Sequence, residues 1–576
     1  MDKKSLPLII VLVVLIVFYF QIMEFFGLYK PPAPVPVQPQ TTQADSTAGQ
    51  NQPGGATTAT QTAPAATGAD STGVVIVDST AKVDSLVVVT KNYTVTMSTF
   101  GGGPVGLSLN NYRYRDGRPI EMLVNAPSAT PELTFAGGTF SASKVHYNCN
   151  LAPGKYEATA SPLTVSYSYR NAEGGELIKR YTFHPNHYDY DLVVDVRDPH
   201  KLGFERQYNL WWNTPLTGTE PQKEVDQLEM QAVGYMSGAR VRLDDYDDNG
   251  KLNQTVSGAT SWAAVREKYF AAALLPISRN AEGLSARGHT EDVSDSGGVF
   301  LQAHFLTAGL DLPFATGQSF VDSFAIFVGP MDYTLMSDYN KGLEDLLDIG
   351  TTPYVGWIIK PFAFAVIWLL PKLYSVIPNY GFVIIIFALI VKLLTLPLSL
   401  KSFKSMAAMR DIQPKVEELK KRYKNDMQKM NAETMALYKK HGVNPFSGCL
   451  PILLQMPLFF AMFSVFKSTI LLREAPFIWF INDLSRGAQN FTDPYMILVV
   501  LMVAAQYISQ KLTTSTQANP QAKILMYIMP LFMGFIFRNF AAGLVLYWTT
   551  FSILSLLDYY IYKRGHQPAV QGGSVE

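Results

Sequence analysis

The stretch that decides the fold is NYGFVIIIFALIVKLLTLPL, residues 379–398, in which Lys392 is the only charged residue. An apolar helix of this length extends about 30 Å, which matches the hydrocarbon thickness of a bilayer. We therefore predict a transmembrane helix over residues 380–400.

Further apolar segments lie on both sides of this stretch. Those that follow predict spans at residues 446–466, 494–510, 523–537 and 543–561. At the other end of the chain, residues 6–20 form an unbroken apolar run, followed by bulky side chains where a cleavage site would need small ones. We favour an uncleaved anchor over residues 1–27, with a cleaved signal peptide as the alternative. The expected total is six transmembrane helices, five of them in one C-terminal bundle.

We predict that the region between the anchor and the bundle is exposed to water. Residues 28–73 consist mainly of Pro, Gln, Thr, Ala, Ser and Gly, a composition typical of a disordered linker. From residue 74 to 350 short β-rich runs alternate with turns. In one of them Tyr93, Val95 and Met97 alternate with Thr and Ser, which is the pattern of a half-buried strand. We predict an all-β sandwich domain that ends in a helix over residues 332–347.

Residues 351–379 are predicted to form an amphipathic helix on the outer membrane surface. Lysines and prolines cut its apolar part, residues 357–370, to roughly 20 Å of helix, which is too short to span. With six spans, the loop 401–441 lies in the cytoplasm. Residues 401–440 hold 11 Lys and Arg against 5 Asp and Glu, as the positive-inside rule requires. Apolar spacing in this loop predicts a helical hairpin, whose charges either only fix its side of the membrane or also bind a partner.

Lys392 is the first candidate for function, because an ionised group at the bilayer centre costs at least about 3 kcal/mol. It lies nine residues before Lys401, roughly 13 Å below the cytoplasmic surface if Lys401 marks that surface. We expect a water-filled cavity around its ammonium. The alternative is that the helix unwinds at Pro397 and brings the interface within reach of Lys392.

Other polar side chains in the predicted spans are candidates for lining the same cavity. Each of them alone is more often explained by an interhelical hydrogen bond than by a functional role, and only their coincidence with Lys392 favours the cavity. We expect no acidic side chain deep in a span, because Asp558 is placed near the cytoplasmic end of the last one. The candidate groove residues besides Lys392 are Gln455, Gln506, Gln510, Thr549 and Thr550.

Several segments resemble the YidC family of membrane protein insertases. They include the stretch quoted above, VNPFSGCLPILLQMPLF at residues 443–459, and AAGLVLYWTTFSILSLLDYYIYKR at residues 541–564. The layout of anchor, linker, β domain and surface helix resembles the Gram-negative form, whose periplasmic domain is a β-supersandwich. The resemblance implies a groove open to the cytoplasm and to lipid, with a positive residue in its middle. Lys392 falls at that position, where the family more often has arginine.

The resemblance also implies an apolar slide formed by the third and fifth spans. Its expected residues are Leu454, Met456, Phe459, Met462, Met526, Met529 and Phe532.

The function implied is insertion and assisted folding of nascent inner-membrane proteins, alone or with a Sec translocon and the ribosome. The N- and C-termini are expected in the cytoplasm, the β domain in the periplasm, and residues 565–576 as a disordered tail. We expect no enzymatic activity, no cofactor and no metal site. Net charge is zero and indicates no nucleic-acid partner. A transporter and an envelope carbohydrate-modifying enzyme remain the alternatives.

Overall fold

The computed structural model describes residues 83–124, 126, 128–135, 141–220, 227, 229–294, 300–350, 355–424, 426–442, 450–513 and 520–565. The predicted anchor, the linker and nearly all of the predicted tail lie outside these residues. The strands of the β domain are β1 Ser85–Val89, β2 Tyr93–Ser98, β3 Gly103–Arg113, β4 Pro119–Leu123, β5 Glu132–Phe135, β6 Asn148–Cys149, β7 Gly154–Glu157, β8 Leu163–Arg170, β9 Glu176–Phe183, β10 Asp189–Arg197, β11 Gln207–Trp212, β12 Gln231–Met236, β13 Ala239–Leu243, β14 Lys251–Arg266, β15 Phe270–Pro276, β16 Ala281–Ser294, β17 Phe300–Pro313 and β18 Phe320–Pro330.

These strands form two sheets, which confirms the predicted all-β domain. The smaller sheet has the order β4-β3-β2-β1-β7. The larger has the order β5-β11-β17-β16-β14-β15-β18-β10-β9-β8-β6, with β12 and β13 attached to β14. The alternation predicted in β2 is observed, since Tyr93, Val95 and Met97 are buried. These three side chains belong to one apolar cluster with residues of the large sheet such as Leu192 and Leu210, so the shared core lies between the sheets.

Strand β15 shows how the β domain meets the helices. Its sequence FAAALLP does not alternate with polar residues, and every residue in it is buried. Phe270, Ala272 and Leu274 join the core between the sheets, whereas Ala271 and Ala273 join a second apolar cluster that continues into the helices. A strand covered on both faces is expected to be apolar throughout.

The α-helices are α1 Tyr333–Ser337, α2 Gly356–Val376, α3 Tyr380–Asp411, α4 Gln413–Arg422, α5 Met427–Lys440, α6 Leu450–Ser468, α7 Met496–Thr513, α8 Pro520–Phe537 and α9 Ala542–Gly565. Short 3₁₀ helices lie at Pro199–Leu202, Leu343–Leu347 and Ile470–Leu472. The single helix predicted over residues 332–347 is two short pieces, α1 and one 3₁₀ turn, separated where Asn340 and Gly342 adopt positive φ. Helices α4 and α5, which contact each other, occupy the predicted hairpin.

The length predicted for the surface helix is wrong. Helix α2 runs for 21 residues through both Pro361 and Pro371, about 31 Å, because each proline removes only one backbone hydrogen bond. Within the described part of the chain, three helices are long and apolar enough to cross a membrane: Gly356–Val376, Tyr380–Met409 and Ala542–Tyr562. Helix α2 is therefore as long as a span, and its position at the outer surface stays a prediction, as does the count of six.

Salt bridges join the β domain to the helical region. We call the charged residues that form them, given below, the boundary cluster. Arg473, in the loop between α6 and α7, is 2.7 Å from the carboxylate of Glu220 and donates to the backbone carbonyl of Arg113 at 3.0 Å. Its side chain is 3% exposed. The remaining pairs of the cluster are Arg115 with Glu220 and Asp483, and Glu229 with Lys467 and Arg266.

Candidate functional site

Helix α9 lies at the centre of the candidate site and contacts α3, α6 and α7. Phe551, Ser555 and Asp558 are spaced four and three residues apart along it, so they share one helix face. That face meets α3 at Lys392. Sequence reasoning selected the lysine but not the three residues opposite it.

The ammonium of Lys392 lies 2.7 Å from Oδ2 of Asp558. It also donates a hydrogen bond of 2.8 Å to Oγ of Ser555 and lies 4.5 Å from the centroid of the Phe551 ring. Lys392 is 5% exposed and Asp558 3%. Removing two charges from water costs several kcal/mol each, which close opposite charges and added hydrogen bonds offset. We call this arrangement the Lys392–Asp558 pair.

The structure corrects the expectation that no acidic side chain lies deep in a span, and it does not show the helix unwinding at Pro397. An acidic side chain does reach the deep lysine, because Asp558 and Lys392 meet side chain to side chain although their positions in the sequence suggested different depths. Helix α3 continues through Pro397 to Asp411, so unwinding at that proline is not observed. The water-filled cavity around Lys392 stays a prediction; in the structure its ammonium is enclosed by protein groups.

Two of the predicted groove glutamines bind aromatic residues of α9. Nε2 of Gln455 donates to the hydroxyl of Tyr547 at 2.7 Å, and Nε1 of Trp548 donates to Oε1 of Gln506 at 3.3 Å. The Tyr547 ring lies 6.0 Å from that of Phe551, which links Gln455 to the surroundings of Lys392. Both glutamines therefore make the interhelical hydrogen bonds that were the simpler explanation.

The other predicted groove residues are less informative. Thr549 is buried and its hydroxyl donates to the carbonyl of Val545 in its own helix. Gln510 and Thr550 are half-buried. Whether these side chains line a common groove with Lys392 stays a prediction.

The predicted slide residues fall on α6 and α8. Met462 is buried, Met456, Phe459 and Met529 are half-buried, and Phe532 is 49% exposed. The side chains of Leu454 and Met526 lie outside those that the structure describes.

An aromatic cluster connects the two slide helices. The Phe459 ring of α6 lies 5.8 Å from Phe537 of α8 and 5.1 Å edge-on from Trp548 of α9. Phe537 and Trp548 were missed by the sequence analysis, and their spacing gave no signal because each helix is apolar on several faces.

Comparisons with known proteins cover both halves of the chain. The family described as the 60Kd inner membrane protein matches residues 372–569, and the family described as the YidC periplasmic domain matches residues 85–365. A relative named membrane protein insertase YidC from Chlorobium limicola is 30% identical over 96% of this chain and 94% of its own length. One of the same name from Chlorobaculum tepidum is 33% identical over 85% and 84%.

Among solved structures, an active YidC insertase with its first transmembrane domain resolved is 19% identical. It covers 82% of this chain and 92% of that one, with a TM-score of 0.35. The identity and coverage of the two sequence relatives, together with the two matched families, decide the assignment. The chain belongs to the YidC family of membrane protein insertases.

Proposed function

We propose that this chain inserts newly synthesised proteins into the bacterial inner membrane and assists their folding, alone or with a Sec translocon. The observation that carries the proposal is the Lys392–Asp558 pair, two charges buried between helices that are long and apolar enough to cross a membrane. Such groups are rarely retained in a membrane without a role, because an apolar pair of similar size costs less to bury. The two relatives described above are named membrane protein insertases.

In the proposed mechanism, a polar segment of the client replaces Asp558 as the partner of Lys392. Among the residues that the structure describes, the ammonium has one charged partner, Asp558, besides Ser555 and the face of Phe551, so exchange requires breaking one salt bridge. Lys563 and Arg564 follow Asp558 at the end of α9. Asp558 is therefore close to cytoplasmic water and to alternative cations when it releases the lysine.

The apolar span of the client is proposed to move along the slide on α6 and α8. Phe532 exposes about half of its surface, and the half-buried Phe459 packs edge-on against Trp548 of α9. Burying the client's apolar surface in hydrocarbon contributes roughly 25 cal/mol per Å², and this transfer supplies the driving energy. Gln455, Gln506, Gln510, Thr549 and Thr550 are proposed to hydrate the polar segment on its way.

The proposed orientation places both termini and the hairpin 401–441 in the cytoplasm and the β domain in the periplasm. The basic excess of the hairpin supports this side of the membrane. The same charges suit the ribosome, nascent chains or anionic lipid as cytoplasmic partners.

The proposal is tested by insertion of a single-span client with an acidic tail into vesicles containing the purified protein, read as protease protection of the tail. Lys392→Ala should lower insertion about tenfold, equivalent to about 1.4 kcal/mol in the insertion step. Lys392→Arg should retain most of it, because the positive charge is kept. Lys372→Ala, at an exposed lysine of α2, is the matched control and should have no effect. Normal insertion of every client by Lys392→Ala would remove the lysine from the mechanism.

A double replacement separates function from folding. Lys392→Met with Asp558→Leu substitutes an apolar pair of similar volume, which is often neutral for stability. The double variant should keep its unfolding temperature and still insert the acidic client poorly. Recovery of normal insertion by the double variant would mean that the pair serves stability alone.

A further inference from the structure

The β domain carries a second concentration of charge, in a cavity of about 600 Å³ on the large sheet. Its floor is made of facing residues from three adjacent strands. Each row of residues runs across β14, β16 and β17 in that order. The first row is Lys251, His289 and Phe305. The second row is Asn253, Arg287 and Thr307. We call this cavity the basic trough.

The charges of the basic trough are of one sign. Lys251 and His289 are direct cross-strand neighbours, and Arg287 is two residues from His289 on the same face. The residues described as lining the cavity include no Asp or Glu. An anionic ligand would therefore meet two cations, Lys251 and Arg287, on this face of the sheet.

The acidic residues that approach the trough make contacts of their own. The carboxylate of Asp247 accepts the backbone N–H groups of Asn249 and Lys251 at 2.9 and 2.8 Å, within the turn that precedes β14. Glu291 lies 3.1 Å from the imidazole of His289 at the exposed rim. Neither of these two contacts involves the side chains of Lys251 or Arg287. A further carboxylate, that of Asp311 on β17, interacts electrostatically with Arg287 and accepts hydrogen bonds from Ser285 and Asn209.

The Arg287 side chain packs on an aromatic ring, that of Trp211. Its guanidinium lies 4.1 Å from the centroid of the Trp211 ring. That ring in turn rests on Gly309, where a Cβ atom would come within 2.7 Å of it. On the other row the His289 and Phe305 rings are stacked, with centroids 5.0 Å apart. Stacking on a ring restricts the Arg287 and His289 side chains but does not itself use their N–H groups. Less side-chain entropy is therefore lost when a ligand binds.

We propose that the basic trough binds an acidic peptide segment in extended conformation. Rows two residues apart along a strand are separated by about 6.8 Å, which is also the spacing of side chains i and i+2 in an extended peptide. Carboxylates on alternate residues of the ligand thus meet Arg287 in one row and Lys251 with His289 in the other. The choice of a peptide rests on the proposed function. Segments exported by an insertase carry few Lys and Arg, so their charged residues are mainly Asp and Glu.

The test uses the full-length protein in detergent and a fluorescent peptide of alternating Glu and Ser, with a peptide of alternating Gln and Ser for comparison. The Glu peptide should bind, the Gln peptide should not, and binding should weaken as salt rises. Lys251→Gln combined with Arg287→Gln should reduce affinity about tenfold or more, since charge-assisted hydrogen bonds are lost. Lys155→Gln, at an exposed lysine of the smaller sheet, is the matched control and should bind normally.

Three outcomes would overturn the proposal. These are absence of binding by the Glu peptide, equal binding by the double variant, and binding of a uronic-acid oligosaccharide under conditions where the peptide does not bind. The assay requires no insertion, and the Lys251→Gln, Arg287→Gln variant should still insert a client with a neutral tail. Failure at the basic trough is thereby distinguished from failure of the mechanism at Lys392.

Discussion

The boundary cluster and the Lys392–Asp558 pair are both buried charge sites, but they are built differently. At the boundary, Glu220 lies between Arg473 and Arg115, and Glu229 lies between Lys467 and Arg266. In the helix bundle a single lysine faces a single aspartate, one hydroxyl and one ring.

The difference indicates different roles. A carboxylate that faces two cations, one of them from the other region of the chain, holds the two regions together, because removing a cation leaves the buried carboxylate poorly compensated. A pair of one cation and one anion has fewer charge contacts to break and is easier to exchange. We therefore propose that the boundary cluster attaches the β domain to the helices. The Lys392–Asp558 pair is proposed to bind the polar segment of the client.

Replacement of Arg473 should have the largest effect. Arg473→Met removes the nearer of the two cations that face Glu220, the other being Arg115 at 3.7 Å, and should lower the free energy of unfolding by about 3 kcal/mol. Thermal unfolding of the full-length protein, followed by the fluorescence of buried Trp212 and Trp262, measures the loss. The matched control is Arg118→Met, whose pair with Asp116 is exposed and which should change stability by no more than about 0.5 kcal/mol. Equal effects of the two substitutions would show that the cluster does not hold the regions together.

Acid should weaken the same boundary through Glu229. Burial alone would raise the pKa of this carboxyl, but the charges of Lys467 and Arg266 prevail and lower the pKa from 4.5 to about 2. A carboxyl with a depressed pKa contributes stability above its unfolded value, and that contribution is lost as pH falls from about 4.5 through about 2. The shift corresponds to roughly 3 kcal/mol.

Unfolding measured at pH 5 and at pH 3 should therefore show a smaller difference in Glu229→Gln than in the unchanged protein. The part of the acid sensitivity that remains belongs to other carboxyls with lowered pKa values, such as Asp322 and Asp493. An identical pH dependence in both proteins would exclude Glu229 as a contributor.

Much of the fold could be predicted from local pattern, whereas most contacts of the site could not. The alternation in β2 and the apolar run at residues 379–398 each fix one element, because burial periodicity is a local property. The partnership of Lys392 with Asp558 joins residues 166 positions apart and depends on how α3 and α9 pack. The spacing of Phe551, Ser555 and Asp558 was the available signal, since it places a carboxylate and a hydroxyl on one helix face.

The error at α2 has a similar origin. Sequence reasoning treated Pro361 and Pro371 as ends, although a proline breaks a helix only when neighbouring structure does not support the freed carbonyl groups. Ile359, Ala363, Val366 and Leu370 are buried along one face of α2, which also contacts α6 and α3. Tertiary packing thus extends the helix beyond the limits that composition suggested.

The most direct test of the central claim is site-specific photocrosslinking of a stalled client to the surroundings of Lys392. A photoreactive residue would replace Ser555, with Met456 on the slide as a second position and Val165 in the core of the β domain as the control. We predict crosslinks from the polar segment of the client at 555 and from its apolar span at 456, with none at 165. Crosslinks at 456 without any at 555 would contradict the account, because the client would then pass without reaching the Lys392–Asp558 pair.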